Sequence, residues 1–468
     1  HQLDLTATYV DVANGYDAFS LDNVRDTLTD QPGHDEQKSA ALAGKLSSGF
    51  DRVTSEIIVT AARTETDYGY DEDWVYDGFH IYGYNWFDRY QRERDSYSAQ
   101  LRLLSNESSM LFNGSTEWVL GAYYLSNEET LDRDRTTYNH FASNYDTQTF
   151  ALFVQADARL SNKLTLTIGL RGENRTTEYT DIKGVAFDPD KDLWGGKLSL
   201  EYTLTNDALV YGSLSRGYRA NGVNGEILAS IDATDDPDVQ DQLRGVQQYD
   251  DESLINYELG FKGQFADDRL TARAALFYMD RKDQQVKGSI VIPAEDGGPS
   301  FIEYTDNAAE GNNYGAELEL NWAPMDALSL WLNLGWLETE YEDYINADGE
   351  DLSGREQAQA PNYQYALGAR YDFDRGFYLQ AGMQGKDEFF FSDRHETQAD
   401  AYDLLNARVG YVSKHWDIAL WGRNLTDEDY YVRGFGAFGN DPRKDYATEP
   451  YYQFGDPRMI GVTASYTF

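Results

Sequence analysis

Chemistry in this chain could sit among its histidines, its carboxylates, its aromatic rings or its arginines. The six histidines (His1, His34, His80, His140, His395 and His415) are scattered without ligand spacing, and no His-Glu-x-x-His pair, nucleophile elbow or phosphate-binding glycine loop accompanies them. The absence of cysteine removes any thiolate nucleophile, thiolate metal site or disulfide framework. No enzyme, cofactor or metal ligand set is therefore expected.

The carboxylates are numerous: 81 acidic residues stand against 39 basic ones, for a net charge of -42. Such a chain repels phosphate backbones, and no basic stripe interrupts the pattern, so nucleic acid is excluded as a partner. The excess gathers between residues 221 and 253, where Glu226, Asp232, Asp235, Asp236, Asp238, Asp241, Asp250, Asp251 and Glu252 face only Arg244. This stretch is either a solvated loop or a site for a hard cation, although it lacks calcium-loop spacing.

The rings concentrate between residues 68 and 90, which hold Tyr68, Tyr70, Trp74, Tyr76, Phe79, Tyr82, Tyr84, Trp86, Phe87 and Tyr90. They form either the core of a long loop or a surface that stacks on a ligand; in the second case Trp74, Tyr82, Tyr84 and Trp86 are the leading candidates. Arg216 and Arg219 are the corresponding cationic candidates, with a wall ion pair as the alternative.

The elements that would position these residues are strands. Leu164–Arg171, Leu198–Tyr202, Leu270–Tyr278, Leu328–Trp336 and Tyr363–Tyr371 alternate an apolar or aromatic face with one carrying Arg171, Lys197, Glu201, Arg273, Asn333, Gln364 or Arg370, often beside glycine. The last residues follow suit, with Ile460, Val462, Ala464, Tyr466 and Phe468 on one face. About eighteen such segments occur. Short turns at 51–52, 161–162, 205–207, 266–268, 324–326, 374–376 and 414–415 alternate with long polar stretches near 22–37, 67–92, 133–146, 177–192, 219–253, 283–303, 340–361, 391–401 and 431–456. One link, 106–114, is longer than its class. Short turns on one side and long loops on the other, with 36 tyrosines, 9 tryptophans and 22 phenylalanines for interfacial belts, predict an all-β, transmembrane antiparallel barrel. A mean hydropathy of -0.64 is compatible with this, because only alternate residues of each span meet lipid. Counted backward from a descending last strand, Leu3 to Asp22 is an upward strand.

Several phrases resemble signatures of TonB-dependent outer-membrane receptors. They are Ser213-Leu-Ser-Arg-Gly-Tyr-Arg-Ala-Asn-Gly-Val-Asn224, Asn256-Tyr-Glu-Leu-Gly-Phe-Lys262, Asn307 to Glu319, and Leu405 to Tyr411 followed by Trp421 to Tyr431; Tyr16 to Asn23 is similar to one branch. The resemblance implies a 22-stranded barrel of which residues 1–468 supply about eighteen strands, the N-terminal plug and first strands being absent from this sequence. It further implies energy-coupled uptake of a scarce nutrient such as a ferric siderophore, with cobalamin or a carbohydrate as further options. The setting would be the outer membrane of a Gram-negative bacterium, among lipid and lipopolysaccharide, with the TonB complex acting through a plug. In such a receptor Arg216 and Arg219 could instead touch the plug. The alternative is a plugless, eighteen-stranded porin.

Overall fold

The computed structural model describes residues 1–15, 19–81, 83, 85–136, 138–225, 227, 231, 237–293, 299–346 and 349–468. These residues form one large antiparallel sheet. Eighteen long strands, from Gln2–Asn14 to Met459–Tyr466, each pair with the long strand before, and the short Ala186–Phe187 adds to the end of Leu164–Asp181. All the expected short turns link consecutive strands. At one of them Arg375 and Gly376 both take positive φ; a Cβ on Gly376 would lie 2.2 Å from the Val412 carbonyl oxygen, so the turn needs glycine there.

Two expected loops are instead strand. Thr116–Arg135 and Tyr138–Arg159 stay paired up to Arg135 and Tyr138, and Leu270–Pro293 and Pro299–Met325 up to Pro293 and Pro299. The first segment lacks an apolar period and so reads as loop, but a backbone ladder that projects into water needs no apolar face. The second is extended for another reason, since Val286, Ile290 and Tyr304 are buried against other loops. The opening strand is shorter than expected. It ends at Asn14, residues 16–18 lie outside the described set, and Phe19 and Leu21 are buried in a loop cluster.

Register separates the two faces. Tyr371, Leu379, Val409, Leu420 and Val462 are successive cross-strand partners, all exposed, with Val462 at 69%. On the other face Arg273 pairs with Glu319 and Glu319 with Asn333, while Lys45 and Arg102 both reach Glu56, at 2.6 and 2.8 Å. That polar face is concave: Tyr211, Lys262, Arg273, Glu319, Asn333 and Gln384 line a cavity of about 790 Å³. Several glycines on it are covered by rings, whereas Gly335 is left open. A Cβ on Gly121, Gly260, Gly410 or Gly461 would meet Phe153, Tyr211, Tyr378 or Trp421, in each case the residue directly opposite on the neighbouring strand. Cross-strand pairs of this kind fix register as well as fill space.

The sheet has two edges, Gln2–Asn14 and Met459–Tyr466, and among the described residues no ladder joins them. No described helix is long and apolar enough to cross a membrane. The long helix of the loops, Pro237–Gly245, lies within the acidic stretch and buries Leu243.

Candidate ligand site in the long-loop assembly

Above the two edges, loops that are hundreds of residues apart in sequence hold one another. Asn23 Nδ2 donates to the Pro450 carbonyl and Asn23 Oδ1 accepts from Tyr452 N, both at 3.0 Å. Arg443 reaches Asp22 at 2.7 Å and Arg25 reaches Asp429 at 2.9 Å. Beneath these bonds lies a small aromatic core in which Trp74 stacks on Phe19 at 5.1 Å and meets Tyr451 edge-on at 5.1 Å, with Phe435 against Phe19 at 4.6 Å. Trp74 is only 6% exposed and has φ +65°. A left-handed tryptophan costs roughly 1–2 kcal/mol. Two aspartates hold it there: Asp71 Oδ1 accepts from the amides of Asp73 and Trp74, while Asp73 accepts from Val75 N at 3.0 Å and Trp86 N at 2.6 Å. Asn440 Nδ2 in turn donates to the Asp73 carbonyl at 3.0 Å.

Burial in this clasp displaces two titrations. The Asp73 carboxyl is pushed up to about 7 by burial, with the neighbouring Asp71 carboxylate adding to the effect and the Trp86 and Val75 amides opposing it. His80 is pushed down to about 4 by burial, against its bond to Asp73 and the carboxylates of Asp441 and Asp71. Its ring lies flat on Tyr446 at 6.0 Å. Beside the clasp, Asp88 is fully buried and takes a two-pronged bond from Arg133 at 3.0 and 2.8 Å, and Arg135 binds Glu72.

A second loop cluster is built on Asn224, the last residue of the Ser213–Asn224 phrase. Its amide nitrogen donates to the carbonyls of Val246 and Thr305 at 2.7 Å each, and its oxygen accepts from Thr305 N at 2.9 Å. Tyr179, Val223, Ile227, Leu243, Ile290 and Tyr304 pack next to it. The acidic stretch is dispersed around this core: Lys191 binds Asp251 at 2.6 Å, Glu252 is buried against Arg281, and Asp241 pairs with Arg244. Glu226, Asp232, Asp235 and Asp236 lie outside the described residues. Near its rim, burial raises the Tyr249 phenol, Tyr145 adds to the rise, and Arg219 and Arg175 pull it back. Three buried atoms here, Arg175 Nε, Thr177 Oγ1 and Asn221 Oδ1, have no hydrogen-bond partner among the described residues. Buried polar atoms left without partners cost free energy, which a bound group could recover.

The sequence candidates thus fall in different places. Trp74 is a core ring of the clasp. Trp86 is half-buried and contributes its amide to Asp73 and its carbonyl to Glu72 N. Tyr82 and Tyr84 lie outside the described residues. Arg216 stacks over the exposed ring of Trp194 at 4.4 Å and donates to its carbonyl; Trp194 has the strand parity of exposed Leu198 and Leu200, so this pair belongs to the apolar face. Arg219 is exposed at the end of its strand, opposite Glu252. Arg175 and Tyr249 were missed because neither falls in a ring cluster or a recognised phrase.

A strictly meandering wall, apolar outside and polar inside, with short turns at one end and interlocked loops at the other, defines a transmembrane β-barrel of the receptor type. The family description "TonB dependent receptor-like, beta-barrel" matches residues 2–425, and the chain belongs to that family. Its members are receptors and transporters of the bacterial outer membrane. Among curated proteins, the pesticin receptor of Yersinia pestis is 25% identical over 338 residues, covering 69% of this chain and 46% of the relative. The ferric-pyoverdine 358 receptor of Pseudomonas putida is 25% identical over 325 residues, covering 68% and 35%. The chain thus spans less than half the length of these relatives. In architecture it is similar to the crystal structure of the ferric yersiniabactin uptake receptor FyuA from Yersinia pestis. That match has a TM-score of 0.76 at 18% identity and covers all of this chain and 68% of the other.

Proposed function

We propose that this chain is the membrane wall and outer loops of an energy-coupled receptor that captures a ferric siderophore at the outer membrane of a Gram-negative bacterium. Residues 1–468 supply wall and loops; a plug domain and further strands outside this sequence complete the receptor, and the TonB complex acts through that plug. Lipid and lipopolysaccharide surround the apolar face. Loops capture the complex without bond chemistry, and rearrangement of the plug opens the path.

The observation that carries this reading is the loop end itself, where the charges of Arg219 and Arg175 both act on Tyr249, beside buried atoms that lack partners among the described residues. Guanidinium groups next to a phenol suit an anionic, ring-bearing or hydroxylated iron complex, and a local cationic spot draws it in despite the acidic exterior. The likeness to ferric-pyoverdine and ferric yersiniabactin receptors supports the same substrate class. The porin alternative needs a ladder between Gln2–Asn14 and Met459–Tyr466, and the sheet lacks one among the described residues. Uptake of iron-55 from a panel of ferric siderophores, by the producing bacterium with and without this gene, tests the proposal. One complex should lose its uptake on deletion, on protonophore treatment, and in large part with Arg219→Ala plus Arg175→Ala. Unchanged uptake together with a steadily open channel from the purified protein would establish the porin instead.

A further inference from the structure

We infer that Asp132, Asp134 and His140 hold one divalent cation of the zinc or copper kind on the outer face of the projecting hairpin Thr116–Arg135 and Tyr138–Arg159. Among the described residues this is the one group of His, Cys, Asp or Glu side chains with at least three donor atoms close enough to share an ion, all within 4.8 Å of one another. The fold builds it from ladder geometry. Asp132 and Asp134 continue the parity of exposed Leu120 and Tyr124, and His140 that of Phe150 and Leu152, so all three leave the sheet on the same side. A register shift between Arg133 and Arg135 draws the facing strand toward the aspartates. The intervening arginines point the other way and are engaged with Asp88 and Glu72; on the outer face Arg89 stands opposite Asp134 and is itself held in a two-pronged bond to Asp67.

His140 Nε2 lies 2.9 Å from Asp132 Oδ2. Ligands about 2.0–2.2 Å from the ion are about 3 Å apart at the right angles of copper(II) and about 3.3–3.6 Å apart around tetrahedral zinc, so this hydrogen-bonded pair fits the first and must open slightly for the second. One imidazole nitrogen with two carboxylates suits zinc, copper or nickel better than calcium or magnesium, which prefer oxygen alone. All three side chains are exposed, so water can complete the shell. The bound ion would join two strands near the hairpin tip, whichever nutrient the loops take.

The test is isothermal titration of the purified full chain, stripped with chelator and kept in detergent, with zinc sulfate, alongside copper(II) spin resonance. One saturable zinc site is expected, weakened at least tenfold by His140→Ala and by Asp134→Asn and not displaced by excess magnesium or calcium. The copper spectrum should show coupling to one nitrogen that His140→Ala abolishes. Retention of the heat-resistant gel mobility typical of folded barrels confirms that the variants keep the wall; His140→Gln serves if His140→Ala does not. No saturable zinc binding, binding unchanged in both variants, or full competition by calcium would overturn the site.

Discussion

The wall and the loop assembly of this molecule are held by opposite means. In the wall each strand touches only its neighbours, and stability comes from ladders, from pairs such as Gly121 under Phe153, and from polar contacts such as Glu56 with Lys45 and Arg102. In the loops the contacts that matter join residues as far apart as Asn23 and Tyr452, and they close over small buried cores. Damage to the wall should therefore stay local, whereas damage to the clasp should release several loops together. This difference also shows that the two sheet edges are spanned from above by side chains although no ladder joins them among the described residues.

The largest effect is expected from Trp74→Ala, which empties the middle of the clasp at a cost of about 3–5 kcal/mol. Protease cleavage and amide exchange should rise across 72–81 and 440–452 together, with heat-resistant mobility of the wall unchanged; exposure of only one loop would break the idea of a shared core. Next comes Asn23→Ala, which removes two bonds to backbone and places alanine at φ +50°, for about 2–3 kcal/mol. Asn23→Gly should recover about 1 kcal/mol of that, since only the backbone strain is relieved; equal losses would deny that strain has a share.

On the wall side, Gly121→Ala drives a methyl into the Phe153 ring and should cost about 1–2 kcal/mol in denaturant titration, with loop protection unaltered. Phe153→Ala in the same chain should remove much of that penalty, and additive losses would show that the ring is not what the methyl meets. The smallest effect concerns pH in the native protein. Asp73, raised from 3.8 to about 7, favours the docked loop increasingly as pH falls from 7 toward 4; His80, lowered from 6.5 to about 4, disfavours it as pH falls through 6.5 toward 4. The two oppose, so loop protection should be nearly flat over that window. Asp73→Asn leaves the histidine alone and should make the loop open on acidification, and His80→Phe should make it tighten. The absence of either slope, read by exchange at pH 4.5 and 7, would remove the buried pair from the account.

Much of the wall could be read from sequence because alternation and turn chemistry are local. Asp51-Arg52, Ala266-Asp267-Asp268 and the face Ile460 to Tyr466 carry their meaning within a few residues. The hairpin ending near Arg135 reads as loop because the apolar signal ends where the ladder does not, and the one ending near Pro293 because the partners that bury its Val286 and Ile290 come from distant loops. The clasp was illegible for a different reason: nothing near Trp74 indicates that Phe19, Phe435 and Tyr451 will surround it. The same holds for Asp132, Asp134 and His140, whose intervals of two, six and eight residues mean nothing until a hairpin folds them together. The resemblance of Ser213–Asn224 to a family phrase pointed to function through Arg216 and Arg219, whereas its structural weight rests on Asn224.

Strict alternation along ladders also governs which changes of length this chain can absorb. Deleting one residue within Leu164–Leu170 would exchange the two faces as far as the next turn, placing Ile168 and Leu170 with Arg273 and Glu319 and turning Arg171 outward. Deleting two would keep every side chain on its own side and merely shift the pairing. The loops between 182 and 185 or between 353 and 362 carry no such parity. Insertions and deletions should therefore accumulate freely at one end of the molecule and in steps of two along its wall.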